Sequence, residues 1–246
     1  MGKVVRNTRI AVLLVLSLCC YLNGFSEDMV VDNVKYTFYN GRGSVKVYRY
    51  EGDKSALTTL RIPDRVDLEV TEWNNSTYQN ETNHYNCTVV GISKGAFQGC
   101  ANLKTIEIGN FITEIEQSAF LNCSNLVELI IPNNVVKIGE SAFSGCSSLT
   151  TLSLGTGLTT IGRNAFQNCS SLTTLDIPGN VNGISALAFS GCSALKTLYV
   201  GSKGFVGQEA FNGCSQLETL ILGSNIDIIY KYAFAGCQKT KGIDNS

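Results

Sequence analysis

Histidine occurs once in the 246 residues, tryptophan once and proline three times. A single His84 leaves no pool of imidazoles from which to build several acid–base or metal sites, and no H-E-x-x-H motif, phosphate loop or recurring pair of carboxylates appears. Charged residues make up 16% of the chain and nearly cancel, to a formal net charge of −1, so there is no basic footprint for nucleic acid or an anionic membrane. Three prolines beside 24 glycines exclude a collagen-like chain, and the 44% apolar content excludes a disordered one. Long apolar runs are missing too. The longest, Ile10 to Leu22, covers thirteen residues, where a bilayer-spanning helix needs about 20.

That run has a different character. It follows Lys3, Arg6 and Arg9 and precedes the small residues Gly24 and Ser26, the layout of a secretory signal peptide over residues 1–24. Cys19 and Cys20 raise lipid anchoring as an alternative, which Leu18 before Cys19 opposes, because such signals want a small residue there. Removing a leader with three basic and no acidic residues would move the formal charge from −1 to −4.

What the chain has in abundance is repetition. Phenylalanine recurs at 97, 120, 143, 166, 189, 211 and 234 and cysteine at 100, 123, 146, 169, 192, 214 and 237, in steps of 23 residues broken once by 22. Alanine precedes every one of these phenylalanines, and Ile92, Ile115, Ile138, Ile161, Ile184, Val206 and Ile229 stand five positions before them. Leucine follows three positions after every cysteine except the last, where Thr240 stands, and further apolar residues follow at six and eight positions. Strand side chains alternate, so L-x-x-L-x-L turns its last two leucines to one face and the residues between them to the other. Gly or Pro then turns the chain at Pro132, Gly155, Pro178, Gly201 and Gly223. A second short segment such as Leu158 to Gly162 points back inward. Twenty-three residues hold two such segments and no long helix besides. The prediction is a β-rich, right-handed solenoid of seven rungs, each stable only when stacked on its neighbours.

The consensus A-F-x-x-C-x-x-L-x-x-L-x-L-P/G-x-x-V-x-x-I-G, as in residues 119–139, resembles the 23-residue leucine-rich repeats of BspA-like and treponemal surface proteins, over residues 91–243. The resemblance implies a leucine-rich repeat coil over 91–246 behind an N-terminal β cap over 25–90. Within that cap, residues 34–52 alternate apolar and polar on both sides of an N-G-R-G turn, a hairpin pattern, and "LRIPDRV" at 60–66 echoes the "LDIPGNV" of a later rung. Residues 67–88 are polar, carry Trp73 and His84, and read as an inserted surface loop. Six N-x-S/T sequons occur, at Asn74, Asn75, Asn80, Asn86, Asn122 and Asn168, four of them in this loop. At the far end, Lys239, Thr240, Lys241 and Asp244 either blunt the open edge or leave it to be covered by a partner or a second copy.

The cysteine column admits four readings. A nucleophile needs an adjacent base, and zinc needs clustered thiolates; a single file of equivalent cysteines offers neither. Disulfides compete on distance, since rungs about 4.8 Å apart fall within bridging range, but side chains stacked in one rotamer point in parallel. Small buried packing thiols fit best. The phenylalanine column reads likewise as core.

No catalytic, cofactor or metal residue is assigned, and the chain reads as a non-enzyme. The outward strand positions remain. One column holds Thr105, Glu128, Thr151, Thr174, Thr197 and Thr219; the other holds Glu107, Ile130, Ser153, Asp176, Tyr199 and Ile221. Threonine suits β-structure as such, whereas the second column varies from rung to rung and sets three apolar residues towards solvent. The candidate partner-binding set is therefore Glu107, Glu128, Ile130, Thr151, Ser153, Thr174, Asp176, Thr197, Tyr199 and Ile221. The resemblance implies a secreted or cell-surface adhesin for extracellular-matrix or host-cell proteins. The alternative is a periplasmic or envelope scaffold that mediates assembly or self-association through the C-terminal edge.

Overall fold

The computed structural model describes residues 28–39, 43–74, 76–239 and 243–244. The signal-like segment, the tip of the first hairpin, Thr240 and Lys241 lie outside them. Two strand columns run the length of the coil. One comprises β4 (Thr59–Ile62), β7 (Thr105–Ile108), β9 (Glu128–Ile130) and β11 (Thr151–Ser153), followed by β13 (Thr174–Ile177), β15 (Thr197–Val200), β17 (Thr219–Leu222) and β19 (Ile243–Asp244). The other comprises β6 (Gln79–Ile92), β8 (Glu114–Ile115), β10 (Lys137–Ile138), β12 (Thr160–Ile161), β14 (Gly183–Ile184), β16 (Gly204–Val206) and β18 (Ile226–Ile229). Neighbours within each column pair in parallel at a register of one repeat, Leu152 opposite Leu129 and Ile161 opposite Ile138. No helix occurs among the described residues. The first column is interrupted once: the sheet β4-β7-β9-β11 and the sheet β13-β15-β17-β19 are separate.

Between the columns, each rung closes through A-F-x-x-C. Two backbone positions per rung are left-handed, two before and two after the phenylalanine. The later one is Gly or Asn throughout, Asn122 at φ 60° and Gly145 at φ 75° among them, as that conformation prefers. The earlier one takes Ser118, Ser141, Asn164, Leu187, Glu209 and Tyr232 after an initial Gly95. Both conformations turn N–H groups along the coil axis. Ser118, Phe120 and Asn122 donate to Glu140, Ala142 and Ser144 of the next rung, at 2.8, 2.7 and 2.8 Å. Three axial hydrogen bonds per rung offset the roughly 1 kcal/mol or more that a left-handed Leu or Tyr costs.

The core follows from these columns. Adjacent phenylalanine rings stack at 5.1–5.4 Å between centroids and within 8° of parallel, from Phe97 to Phe234. The alanines beside them are small because the neighbouring turn passes over them, and they are buried throughout.

The N-terminal end is closed by β1 (Asp28–Val31), β2 (Val34–Phe38) and β3 (Ser44–Tyr50). These pair antiparallel in sequence, and β3 then joins β6 in parallel. The expected hairpin around N-G-R-G is thus β2–β3. Tyr50 holds a position the repeat pattern does not assign to it. Its N–H donates to Ala96 O at 2.9 Å, as each Phe donates to the alanine of the next rung, and its ring caps the aromatic stack at 6.3 Å from Phe97. Leu60 pairs with Ile106, so residues 50–62 form a rung of their own with Tyr for Phe and Asp53 for Cys.

The segment read from sequence as an inserted surface loop is built as two antiparallel arms, β5 (Arg65–Asn74) and the first part of β6. At their base Val66, Leu68 and Val70 on one arm, and Cys87 and Val89 on the other, are buried, so that end carries an apolar face. Further out the arm is exposed, with Glu69 Oε1 at 3.5 Å from His84 Nδ1 across it.

Candidate binding face

The thiols are part of the scaffold. Each cysteine from Cys123 to Cys237 donates its S–H to the phenylalanine carbonyl of the preceding rung, Cys146 Sγ to Phe120 O at 3.6 Å and Cys169 Sγ to Phe143 O at 3.4 Å. The same carbonyl accepts the N–H of its own rung's cysteine, Cys123 N to Phe120 O at 3.2 Å. Both lone pairs of a buried carbonyl are thereby used, which explains why the position takes a small residue with a donor. Burial pushes the Cys146 and Cys192 thiols up to about 12, and Cys169 further in the same direction. All these cysteines are free thiols. Protonated, buried and bonded to backbone, Cys123 to Cys214 have neither the thiolate character nor the access that nucleophiles and metal ligands require, whereas Cys237 is half-buried and its hydrogen bond with Cys214 shifts its thiol down. Among the described residues, no group of three or more His, Cys, Asp or Glu is placed to hold a metal ion.

Of the ten candidate binding residues, Glu107, Glu128, Ile130, Thr151, Ser153, Thr174, Asp176, Thr197 and Tyr199 are exposed, and Ile221 is half-buried. The strands put them there by alternation alone: in β15 Leu198 and Val200 are buried while Thr197 and Tyr199 face out. Their order along the coil follows from register, with Asp176 opposite Tyr199 and Tyr199 opposite Ile221. The sheet break divides the set in two. On the first sheet Ile130 is 57% exposed beside Ser153, while Glu107 one rung before carries an ion pair to Arg61 at 3.2 Å. On the second, Asp176, Tyr199 and Ile221 form an apolar strip with one acid at its edge. Tyr199 leans over Gly201, where a Cβ would come within 2.9 Å of its ring.

Outside this face the other column carries its own surface. At the N-terminal end Lys46, Glu114, Glu116 and Lys137 form a ladder of ion pairs, with Lys46 Nζ 2.6 Å from Glu116 and Lys137 Nζ 2.9 Å from Glu114. At the C-terminal end charge gives way to Phe205, Ile228, Ile229, Tyr230 and Tyr232, all exposed. Repeat reasoning passed over this cluster because Ile229 stands in the core column, and at the positions of Ile228 and Tyr230 rungs one to four carry polar residues or glycine. The axial N–H donors of the last rung, on Tyr232, Phe234 and Gly236, meet no further rung among the described residues.

The family description "BspA type leucine rich repeat region" fits residues 69–196 and 201–245 in six copies. No curated protein matches the chain. The similar solved structures include two with the same TM-score. A leucine-rich repeat protein of T. pallidum is 23% identical with a TM-score of 0.66, over 87% of this chain and 91% of that one. A leucine-rich repeat protein of Eubacterium ventriosum is likewise 23% identical with a TM-score of 0.66, over 86% of this chain and 50% of that one, so this chain spans about half its length. At such identity the likeness is one of fold.

Proposed function

We propose, from the premise that this chain belongs to the BspA-type leucine-rich repeat family, that it is a secreted or cell-surface scaffold whose strand face binds other proteins. Leucine-rich repeat solenoids of this family are generally non-enzymatic, and their repeats are suited to protein binding. The observation that carries the reading is the outward column on the strands, where Ile130 and Tyr199 face solvent at 57% and 40% exposure amid an otherwise threonine-rich surface. A face of this kind is rigid before binding, because every rung is tied to the next through backbone. A partner therefore docks at little cost in chain ordering. Apolar and aromatic residues flanked by polar ones supply the anchors of an interface and its rim.

The finer reading is adhesion to extracellular-matrix or host-cell proteins, with the basic and apolar N-terminal segment directing export. Two experiments test it. Protease treatment of intact cells should remove the protein; complete protection contradicts surface display. Matrix extract immobilised on a sensor should capture the chain from solution; no capture contradicts the adhesin.

A second reading, an envelope scaffold that self-associates through the C-terminal edge, draws on Ile228, Ile229, Tyr230 and Tyr232, which are exposed among the described residues. Light scattering at rising concentration separates the two. A strict monomer rejects self-association and leaves the adhesin standing.

A further inference from the structure

We infer that the corner between β17 and β18 is a binding site for a neutral saccharide. The site originates in the one departure from the 23-residue pitch. Earlier rungs place six residues between the two strand columns, Pro178 to Gly183 between Ile177 and Ile184, whereas the fifth rung places five, Gly201 to Phe205 between Val200 and Val206. The position lost is the one at which Ile112, Val135, Leu158 and Val181 turn back into the core. Ser202 fills the space instead, fully buried and with no partner for its Oγ.

The next rung keeps its six residues, so the strands fall out of step. Gly204 pairs with Ile226 but Phe205 pairs with Ile228, and Asp227 bulges between them. Bulges of this kind re-aim a side chain. Asp227 lines a notch of about 500 Å³ together with Asn182, Lys203, Gly204, Ser224 and Asn225.

The polar side chains of this notch differ from their counterparts elsewhere at the same corner. In the regular rungs Asn134 donates to Asn110 O at 2.6 Å, Asn180 to Leu158 O at 2.6 Å and Thr159 to Val136 O at 3.1 Å, and Asn133 accepts from Thr156 N at 3.0 Å. Those side chains stitch one rung to the next. Among the described residues, the side chains of Asn182, Lys203, Ser224, Asn225 and Asp227 make no hydrogen bond or ion pair. Five polar groups freed from scaffold duty thus surround one opening.

Next in the chain after Gly204, outside the lining itself, stands an aromatic pair. Phe205 packs over Gly183, a spot where any Cβ would collide with its ring, and meets Tyr230 edge-on at 6.0 Å. Both rings are partly exposed.

These parts select a ligand class. Two carboxamides, a carboxylate, an ammonium and a hydroxyl offer donors and acceptors side by side, which suits vicinal hydroxyls that each donate and accept. The rings offer an apolar surface to the C–H face of a sugar. Lys203 and Asp227 cancel in charge, which selects a neutral sugar over an acidic one. The volume falls in the range of small-ligand sites, while the polar lining disfavours an apolar ligand.

Saturation-transfer NMR on the full chain with the methyl glycosides of glucose, galactose, mannose and N-acetylglucosamine at millimolar concentration tests this. At least one glycoside should gain saturation from the protein, and Asp227→Ala and Lys203→Ala should each weaken its binding roughly tenfold, the loss of one charge-assisted hydrogen bond. Phe205→Ala should abolish the transfer. Lys137→Met, in the ion-pair ladder at the other end of the coil, should leave it unchanged. All four variants lie at the surface, and a thermal melt checks that each is folded; if Phe205→Ala unfolds, the two charge variants decide. Absence of transfer from every glycoside overturns the inference, as does transfer that survives both charge variants. Either failure leaves the protein-binding face untouched, because that face lies on the strands of the other column.

Discussion

Rungs two to four and rungs five to six are built from the same consensus, yet they treat their surface side chains in opposite ways. In the regular rungs the corner residues hydrogen-bond to the rung below. In the last two, one missing residue produces a bulge, an unpartnered buried hydroxyl, an exposed aromatic pair and a set of free polar groups. A repeat of fixed pitch uses its side chains to hold itself together. A break in pitch releases some of them for other contacts, at a local cost in packing.

The largest expected effect is alkaline, and it is shared by both regions. Burial raises the thiols of the regular core above the ordinary value of 9.0, to about 12 for Cys146 and Cys192. Above pH 9 the unfolded chain releases protons that the folded chain keeps, so stability is full below 9 and falls as pH rises. Each such thiol subtracts about 1.4 kcal/mol per pH unit up to its folded value. With Cys123 and Cys169 shifted the same way, the combined loss overtakes a stability of roughly 5–15 kcal/mol before pH 12. Chemical denaturation at pH 8, 9, 10 and 11 should show a flat stability that then drops steeply; a flat profile to pH 11 would contradict the buried-thiol picture.

Next in size is the aromatic stack. Phe143→Ala, with rings above and below, should lose about 3–5 kcal/mol, and Phe234→Ala, with a ring on one side only, about half of that. Equal losses would mean that the last rung is covered as well as the middle ones. Smaller still is Ser202→Ala, which removes a buried hydroxyl without a partner and should raise stability by about 1 kcal/mol. A decrease would show that the hydroxyl is satisfied. Smallest is Lys137→Met in the exposed ion-pair ladder, expected to change stability by roughly 0.5 kcal/mol or less. Thermal melts check all of these.

How far the sequence could be read follows from the same contrast. The solenoid, its pitch and its buried columns were legible because Phe, Cys and Leu each recur as one residue type at one spacing. The rung at residues 50–62 was legible only in its strand, where residues 60–66 echo a later rung; its closing turn was not, because Tyr50 and Asp53 stand for Phe and Cys and one extra residue precedes Leu60, and the echo of F-x-G-C in Tyr50-Glu51-Gly52-Asp53 is the signal that points to it. The strands at 65–92 were missed because their outer part is polar on both faces, which outweighed the short alternation of Val66, Leu68 and Val70 at the base. The earlier left-handed position cannot be read from residue type at all. Leu187 and Tyr232 adopt it because the axial geometry of the stack imposes it. The candidate face was legible as a list of outward residues, since alternation alone assigns them; its division between Ser153 and Asp176 was not, because both sides carry the same pattern. The 22-residue step was visible in the spacing. Its consequence at Asp227 needed the register of β16 and β18.

The central claim is that the strand face binds protein through its apolar residues. Its most direct test is surface plasmon resonance on immobilised matrix extract, comparing the native chain with the triple variant Ile130→Ser, Tyr199→Ser, Ile221→Ser. These side chains leave the core untouched, so the melting temperature should stay within a few degrees, while affinity should fall at least a hundredfold, as expected when hot-spot residues are removed together. Binding that persists within a factor of about two in a folded triple variant would contradict the account.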